Sequence, residues 1–474
     1  MASSYEGSSS SDPPLHNTLL VCGTMARILF LPLPEAGHIH ATFGLAKQLE
    51  ARGHEIGYMA PPDAEPFLHS RPWPFTPMLE DVFPRGYQAE VFSRIEDPKL
   101  PPPARKQTID EFLRRHELRI TEVLFGASFE SRLRDSGADL LLVDASYPLP
   151  ILAASKLGIP AFQICTNFAL NRDAAVPPLT SHHIPTGSIA SGLQIAFAWK
   201  WLYLRTFMGV LGKMRAHVRA FYDRHPEAPP GDFHTHLQAG PHLRIPTLVT
   251  CVPEFDFRRA SGGLHYLGPC VDRDRDEPAL PPELASGEAP LVLCSLGSHG
   301  NRVRGHQAFF KSVIDAFARR PHLRLLMAVG KEIGTEAFGP LPENVTVVDW
   351  VPQLTALKRA SLMITHGGLN SVKECISMGV PMIAYPLVFD QPGNAARIVH
   401  HGIGLRGDIR QATTEQVGAQ IDEVLGNPIY RARVQALQQV FVDADDSGRG
   451  AETVEALLPA HGRAAAPLLR VQTH

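Results

Sequence analysis

Hydrophobic positions along the chain gather into short continuous runs separated by helical patterns. "RILFL" at 27–31 is apolar after its first residue. A strand covered on both faces reads this way, because neither set of alternating side chains meets water. Phe43, Leu45, Ala46 and Leu49 then follow a helical spacing. Gly53 stands where a helix C-cap belongs, and "EIGYMA" at 55–60 opens a second strand. A strand, a helix and another strand in succession imply a crossover connection and a parallel sheet. "ADLLLVDASYPLPILAASKLGIPAFQI" at 138–164 repeats the unit.

The pattern breaks at 270–290, "CVDRDRDEPALPPELASGEAP", which is charged and rich in Pro. A second α/β series follows: "LVLCSLGS", a helix near 305–319, "LRLLMAVG", "VTVVDWVP" and "ASLMITHGG". Helical sequence returns at 413–425 and 428–458. The chain therefore divides into a disordered tail (1–24), a first Rossmann-like domain (25–269), a linker (270–290), a second Rossmann-like domain (291–440) and a C-terminal helix and tail (441–474), the last packing back on the first domain. The expected architecture is α/β, two doubly wound parallel-sheet domains facing across a cleft. In such sheets ligands bind outside the carboxyl ends of the strands. Residues 191–222 read as one long helical segment carrying Phe197, Trp199, Trp201, Tyr203 and Phe207, aromatics for the core or for an apolar pocket. Residues 105–120 read as a solvated basic helix.

Composition narrows the function classes. The 474 residues are 44% hydrophobic and 20% charged, with a net charge of −3, so there is no basic footprint for nucleic acid. The six Cys, at 22, 165, 251, 270, 294 and 375, fit no zinc spacing and read as buried free thiols in a reducing compartment. No apolar run reaches the roughly 18–20 residues that span a bilayer. The Ser-rich start lacks the basic and apolar regions of a signal peptide. A cytoplasmic protein without a membrane span is expected.

The richest chemistry lies at "THGGLNSVKE", 365–374. An apolar strand delivers His366 to its carboxyl end. Gly367 and Gly368 let a ligand approach the backbone. The helix beginning near Asn370 offers unpaired N–H groups and a positive dipole end, which attract phosphate. Asn370 and Ser371 add polar side chains. Glu374 follows one turn later on the same face, where a carboxylate can take a pair of vicinal hydroxyls. Ser371 and Glu374 also fit a capping box, which leaves His366 and the glycines unexplained. Trp350, either core or a flat face for a base, precedes this stretch with Gln353, and Asp390 and Gln391 follow it.

The run W-x2-Q, H-G-G-x-N-S-x2-E, G-V-P and D-Q resembles the signature of UDP-glycosyltransferases with the GT-B fold. "FDQPGNAARIVHHGIG" is similar to the bacterial branch acting on macrolides and carotenoids, the zeaxanthin type included. The resemblance is specific over 345–405. It implies that Trp350 and Val351 meet the base, that Gln353 lies near base or ribose, that His366, Gly368, Asn370 and Ser371 meet the diphosphate, and that Glu374 meets the ribose. Asp390 and Gln391 would hold the sugar, with Gly297 and Ser298 beside a phosphate.

In "PEAGHIHA" the resemblance places the catalytic base at His38, and it makes Asp144 its partner. Many relatives read G-H-V-N-P; here His40 takes the Asn position. An imidazole titrates near neutral pH and suits proton abstraction from a hydroxyl. Asp144 read without the resemblance is a helix N-cap. The other His clusters (182–183, 234 and 236, 400–401) suggest no metal site. The expected activity is an inverting, metal-independent transfer of a sugar to a hydroxyl of a hydrophobic natural product, a macrolide or polyketide, as in antibiotic biosynthesis. The donor expected is UDP-glucose, with a dTDP-sugar as the alternative, and no cofactor is needed. The stretches at 61–104 and 164–210 would shape the acceptor pocket. A carotenoid or flavonoid acceptor, a sugar-nucleotide epimerase or hydrolase, and an inactive binding protein are the alternatives. A monomer or weak homodimer is expected.

Overall fold

A computed structural model describes residues 25–96, 100–207, 211–232, 242–297, 306–331 and 333–458. The expected N-terminal tail, most of the C-terminal tail, Cys22, Ser298, His234 and His236 lie outside the described residues.

The strands are β1 (Arg27–Leu31), β2 (Glu55–Ala60), β3 (Phe75–Pro77), β4 (Leu140–Asp144), β5 (Ala161–Cys165), β6 (Gly231–Asp232), β7 (His242–Leu243), β8 (Thr247–Val249), β9 (Leu264–Tyr266), β10 (Leu291–Ser295), β11 (Arg324–Ala328), β12 (Val345–Val348), β13 (Ala360–Thr365), β14 (Met382–Ala384) and β15 (Gly404–Arg406). Seven form one parallel sheet in the order β3-β2-β1-β4-β5-β8-β9. Six form a second in the order β12-β11-β10-β13-β14-β15, also parallel. β6 and β7 make a short antiparallel ribbon. The molecule is thus two Rossmann-like α/β layers. β4 is buried along its whole length, and β1 is buried after Arg27, which accounts for their unbroken apolar runs.

Chain direction across each sheet reverses once. The reversal lies between β1 and β4 in the first sheet and between β10 and β13 in the second. Loops leaving adjacent strands at such a switch point diverge and open a crevice. His38 follows β1 and Asp144 ends β4; Gly297 follows β10 and His366 follows β13. The two switch points face each other, because the short helix Ala36–His40 packs on the helix Leu369–Ser377.

The two halves share one apolar core. Phe168, Val249, Cys251 and Phe255 from the first pack with Leu369, Val372, Ala395 and Ile398 from the second. Buried polar struts cross the same interface. Lys373 donates from Nζ to the carbonyls of Thr250 (2.9 Å) and Pro269 (2.8 Å). Arg397 is bound to Asp256, and its guanidinium lies between the rings of Phe168 and Phe257. The helix Arg449–Leu457 returns to the helix Phe43–Ala51, where Glu455 binds Arg52 at 2.8 Å and His54 at 3.1 Å.

Several local expectations change. The segment 191–222 is two helices, Ile189–Phe207 and Leu211–Arg224. Trp199 is buried, whereas Phe197 and Trp201 face solvent. The 428–458 pattern breaks at Gly448, whose φ of 70° ends one helix and starts another. The helix Pro102–Phe125 is not solvated all round: Arg119 is buried against the ring of Tyr147, because the helix needs an inward face to hold its place on the sheet. Phe83 and Tyr87 pack into that same core. The segment 270–290 is no loose tether, since Cys270, Val271, Leu280 and Leu284 are buried.

Candidate active site

His38 sits in the single turn after β1, and its Nδ1 lies 2.7 Å from Oδ2 of Asp144. The other oxygen of Asp144 accepts from the Ser146 backbone N–H at 2.8 Å. The carboxylate therefore closes a local turn and holds the imidazole at once. It is not a helix N-cap: the next helix starts at Leu149 behind Pro148. Thr166, just past β5, places its hydroxyl 2.8 Å from the same Nδ1. A carboxylate on Nδ1 sets the proton there and leaves Nε2 as the basic nitrogen. Burial by itself lowers the His38 pKa, but the Asp144 carboxylate, with Glu35 and Asp390 farther off, raises it to about 9. His40 is built differently. Its ring packs against Phe43 and Phe67, and burial with the cations Arg275 and Arg71 lowers its pKa to about 3.

Across the crevice, β13 runs into His366-Gly367-Gly368 and the helix Leu369–Ser377. Gly367 has φ 81°, a turn that side chains resist. Gly368 is the N-cap and supplies no side-chain cap. The capping box that Ser371 and Glu374 also fit is absent here, because the helix begins two residues before Ser371. Such a box is present instead at Thr413 and Gln416. Ser371 and Glu374 have other partners. Glu374 is buried; its Oε1 accepts from Arg275 (3.0 Å) and Asn370 (3.1 Å), and its Oε2 from Gln353 (2.5 Å). Gln353 also donates to the Ser371 hydroxyl at 3.2 Å. Gln353, Asn370, Ser371 and Glu374 are thus one network.

The glycines have a role that their spacing did not suggest. A β-carbon built on Gly297 would stand 2.5 Å from Cε1 of His366, and one on Gly368 would stand closer still to Nε2. Both glycines make room for the imidazole, beyond any room they make for a ligand. Gly368 has φ −62° and ψ 135°, which alanine accepts without strain. Gly368→Ala is therefore a clean way to displace His366. It is expected to keep the fold and weaken nucleotide-sugar binding roughly tenfold, the scale of overpacking by one methyl, as read by titration calorimetry.

Trp350 is 61% exposed, so it presents a flat apolar face rather than joining the core. Val351 beside it is buried. Asp390 is the N-cap residue of the helix Gln391–His400, and its carboxylate accepts from the Asn394 amide at 2.8 Å. Burial raises the Asp390 pKa, with Asn394 and His38 opposing. Gln391 turns its carbonyl inward to the N–H groups of Leu387 (2.8 Å) and Val388 (3.1 Å), which fixes the loop before Asp390.

Three polar residues at the site were not singled out from the sequence. Arg275 lies in the charged, Pro-rich break that reads as a linker. Thr166 lies beside β4 only once the sheet forms. Asn394, which also donates to the Gly367 carbonyl at 2.9 Å, was signalled only by its place one turn after Asp390. Among the described residues no three His, Cys, Asp or Glu side chains gather as metal ligands. None of the helices among them is long and apolar enough to cross a membrane.

Two parallel sheets with apposed switch points, a His–Asp pair on one side and a glycine-flanked helix N-terminus on the other, make up a GT-B fold. The comparisons with known proteins agree. Residues 282–445 match the family model described as UDP-glucoronosyl and UDP-glucosyl transferase. Zeaxanthin glucosyltransferase of Pantoea ananas is 28% identical over 444 residues, 92% of this chain and 96% of that protein. Demethyllactenocin mycarosyltransferase of Streptomyces fradiae is 27% identical over 448 residues, 92% of this chain and 87% of that protein. The solved glycotransferase of kitacinnamycin superposes with a TM-score of 0.66 at 24% identity, covering 92% of this chain and 99% of that one. The chain is thus similar to glycosyltransferases over almost its whole length, and the family model matches about a third of it, within residues 282–445.

Proposed function

We propose that this enzyme transfers a sugar, glucose by preference, from a UDP-sugar to a hydroxyl of a hydrophobic natural product, with inversion and without a metal. The observation that carries the reading is the 2.7 Å His38–Asp144 pair standing opposite the helix start at 369. Trp350 stacks on the base, and Glu374 takes the ribose hydroxyls in exchange for one of its present bonds. The Leu369–Ser377 N-terminus, with His366, Asn370 and Ser371, receives the diphosphate; Gly297 lines that pocket, and Ser298 is assigned to it by sequence. Asp390, with Gln391 shaping its loop, holds sugar hydroxyls.

His38 Nε2 takes the proton from the acceptor hydroxyl, and Asp144 stabilises the imidazolium that forms. The acceptor oxygen attacks the anomeric carbon as its bond to the diphosphate oxygen breaks. Charge on the departing diphosphate falls on the helix N–H groups and dipole. One in-line displacement inverts the anomeric centre. The similarity to a zeaxanthin glucosyltransferase and a demethyllactenocin mycarosyltransferase supports a hydrophobic acceptor. The stretches 61–104 and 164–210 of the first domain border the acceptor. The protein acts as a soluble cytoplasmic enzyme, as a monomer or weak homodimer.

The test is incubation with UDP-glucose and dTDP-glucose against a panel of macrolide, carotenoid and flavonoid alcohols, in chelator, with products read by mass spectrometry and proton NMR. A β-glycoside from the α-linked donor is the expected result. An α-glycoside would overturn inversion. Free glucose or an epimer with no glycoside would make the protein a hydrolase or epimerase.

A further inference from the structure

The helix Ile189–Phe207 is apolar on two opposite faces. One face, Ile195, Trp199 and Leu202, is buried, and Trp199 Nε1 donates to the Val176 carbonyl at 2.8 Å. Ser191 adds a bond to His183 at 2.7 Å. This face fixes the helix to the body, and the loop beneath it touches the donor side, where the Gly393 N–H donates to the Leu179 carbonyl at 2.7 Å. The opposite face carries Ile189, Leu193, Phe197, Trp201 and Leu204, spaced by four, four, four and three residues. These five are 49–87% exposed. A helix that is apolar all round is normally covered on every side, and an apolar stripe this long marks an interaction surface.

Charge identifies the occupant. Residues 189–224 hold six Lys or Arg and one Asp, a net +5 in a chain of net −3. Lys200 is exposed within the stripe itself, and Arg219 and Arg224 on the next helix are exposed as well. Two copies meeting on this face would bring like charges together. An anionic bilayer meets both features: Trp, Phe and Leu enter the headgroup boundary while Lys and Arg stay at the phosphates. The helix does not span: among the described residues no helix, this one included, is long and apolar enough to cross a membrane.

We infer that the outward face of Ile189–Phe207 docks the enzyme on an anionic lipid surface, lying in the interface plane. The inference stands on exposure and charge. Its use, drawing an apolar acceptor from the bilayer, rests on the acceptor reading above.

The experiment is flotation of the full-length enzyme with vesicles of phosphatidylcholine alone or with phosphatidylglycerol, comparing wild type with Phe197→Ser/Trp201→Ser. Both residues face outward, so an unchanged melting temperature is expected. Wild type should float with anionic vesicles, less so in high salt, and the variant's partition should fall roughly tenfold as two of the five anchors are lost. No flotation of wild type would overturn the inference, and so would equal flotation of wild type and variant. A wild-type dimer in light scattering that the variant abolishes would give the face to a second copy. Loss of soluble-acceptor turnover with vesicle binding unchanged would assign it to the acceptor pocket. Absence of any glycoside from wild type with flotation intact would overturn the transferase reading alone.

Discussion

Replacing His38 by alanine is expected to lower kcat/KM by roughly 10²–10⁴, the usual contribution of a positioned general base. Donor affinity should hardly change, because His38 lies on the opposite wall of the crevice from the Glu374 network. Three bonds at the switch point make the case: Asp144 and Thr166 on Nδ1, and Ser146 steadying Asp144. The pH dependence supplies a second signature. In the free enzyme burial lowers the His38 pKa, but Asp144, Glu35 and Asp390 raise it to about 9. The base form is the neutral one, so kcat/KM should climb as pH rises toward 9. Asp144→Asn removes the carboxylate that raises the pKa, and the climb should move to lower pH with a lower plateau. Stability follows the opposite sign. The pair's contribution is fully present below the unfolded histidine value near 6.5 and is lost as pH rises through about 9. The melting-temperature gap between wild type and Asp144→Asn should therefore close over that range. His40→Ala should leave the pH profile alone, since His40 is held neutral between Phe43 and Phe67.

Arg397→Met is expected to cost about 3–5 kcal/mol of stability, the scale for breaking a buried ion pair from one side. Arg397 is buried, and its Nε donates to Asp256 Oδ1 at 3.0 Å. Asp256 Oδ2 accepts from Arg259 (2.9 Å) and the Tyr266 hydroxyl (2.7 Å). Burial pushes the Asp256 pKa up, but Arg397 and Arg259 bring it down to about 2. Without Arg397 that carboxylate keeps one cation where two are built in. Met fills the slot between Phe168 and Phe257, so little of the loss is cavity. The helix bearing Arg397 begins at Gln391, next to Asp390. Urea unfolding should show the loss, and nucleotide-sugar titration should show a weaker site. Arg397→Met/Asp256→Leu/Arg259→Met should recover part of the stability, because removing all three charges leaves none stranded, whereas Asp256→Leu alone would leave the buried Arg259 without its carboxylate.

Which parts were legible follows from how each residue is fixed. β1, β2 and β13 lie where their apolar runs put them, since buried parallel strands show unbroken runs. His366 and Asn370 were legible because a strand, a glycine pair and a helix adjoin in sequence. The Arg275–Glu374 bond joins residues 99 apart, and nothing in "CVDRDRDEP" separates one Arg from its neighbours. The packing of Gly297 and Gly368 around His366 depends on a ring orientation that spacing does not encode. Trp199 and Trp201 look alike in sequence; only the loop at Val176 beneath the helix decides that one is buried and the other exposed. Ser371 forms no capping box for a local reason: Gly368 is the N-cap, so Ser371 already lies inside the helix and Gly368 brings no side chain to the first N–H groups.

The central claim is that the Glu374 network and the helix start behind His366 form a nucleotide-sugar site. A thermal-shift panel of UDP- and dTDP-sugars tests it most directly, because a ligand that binds only the folded state raises the melting temperature as its concentration exceeds its Kd. The account predicts a rise with at least one of these sugars, largest with UDP-glucose and lost in Glu374→Ala. No rise with any nucleotide sugar, or an equal rise in Glu374→Ala, would contradict it.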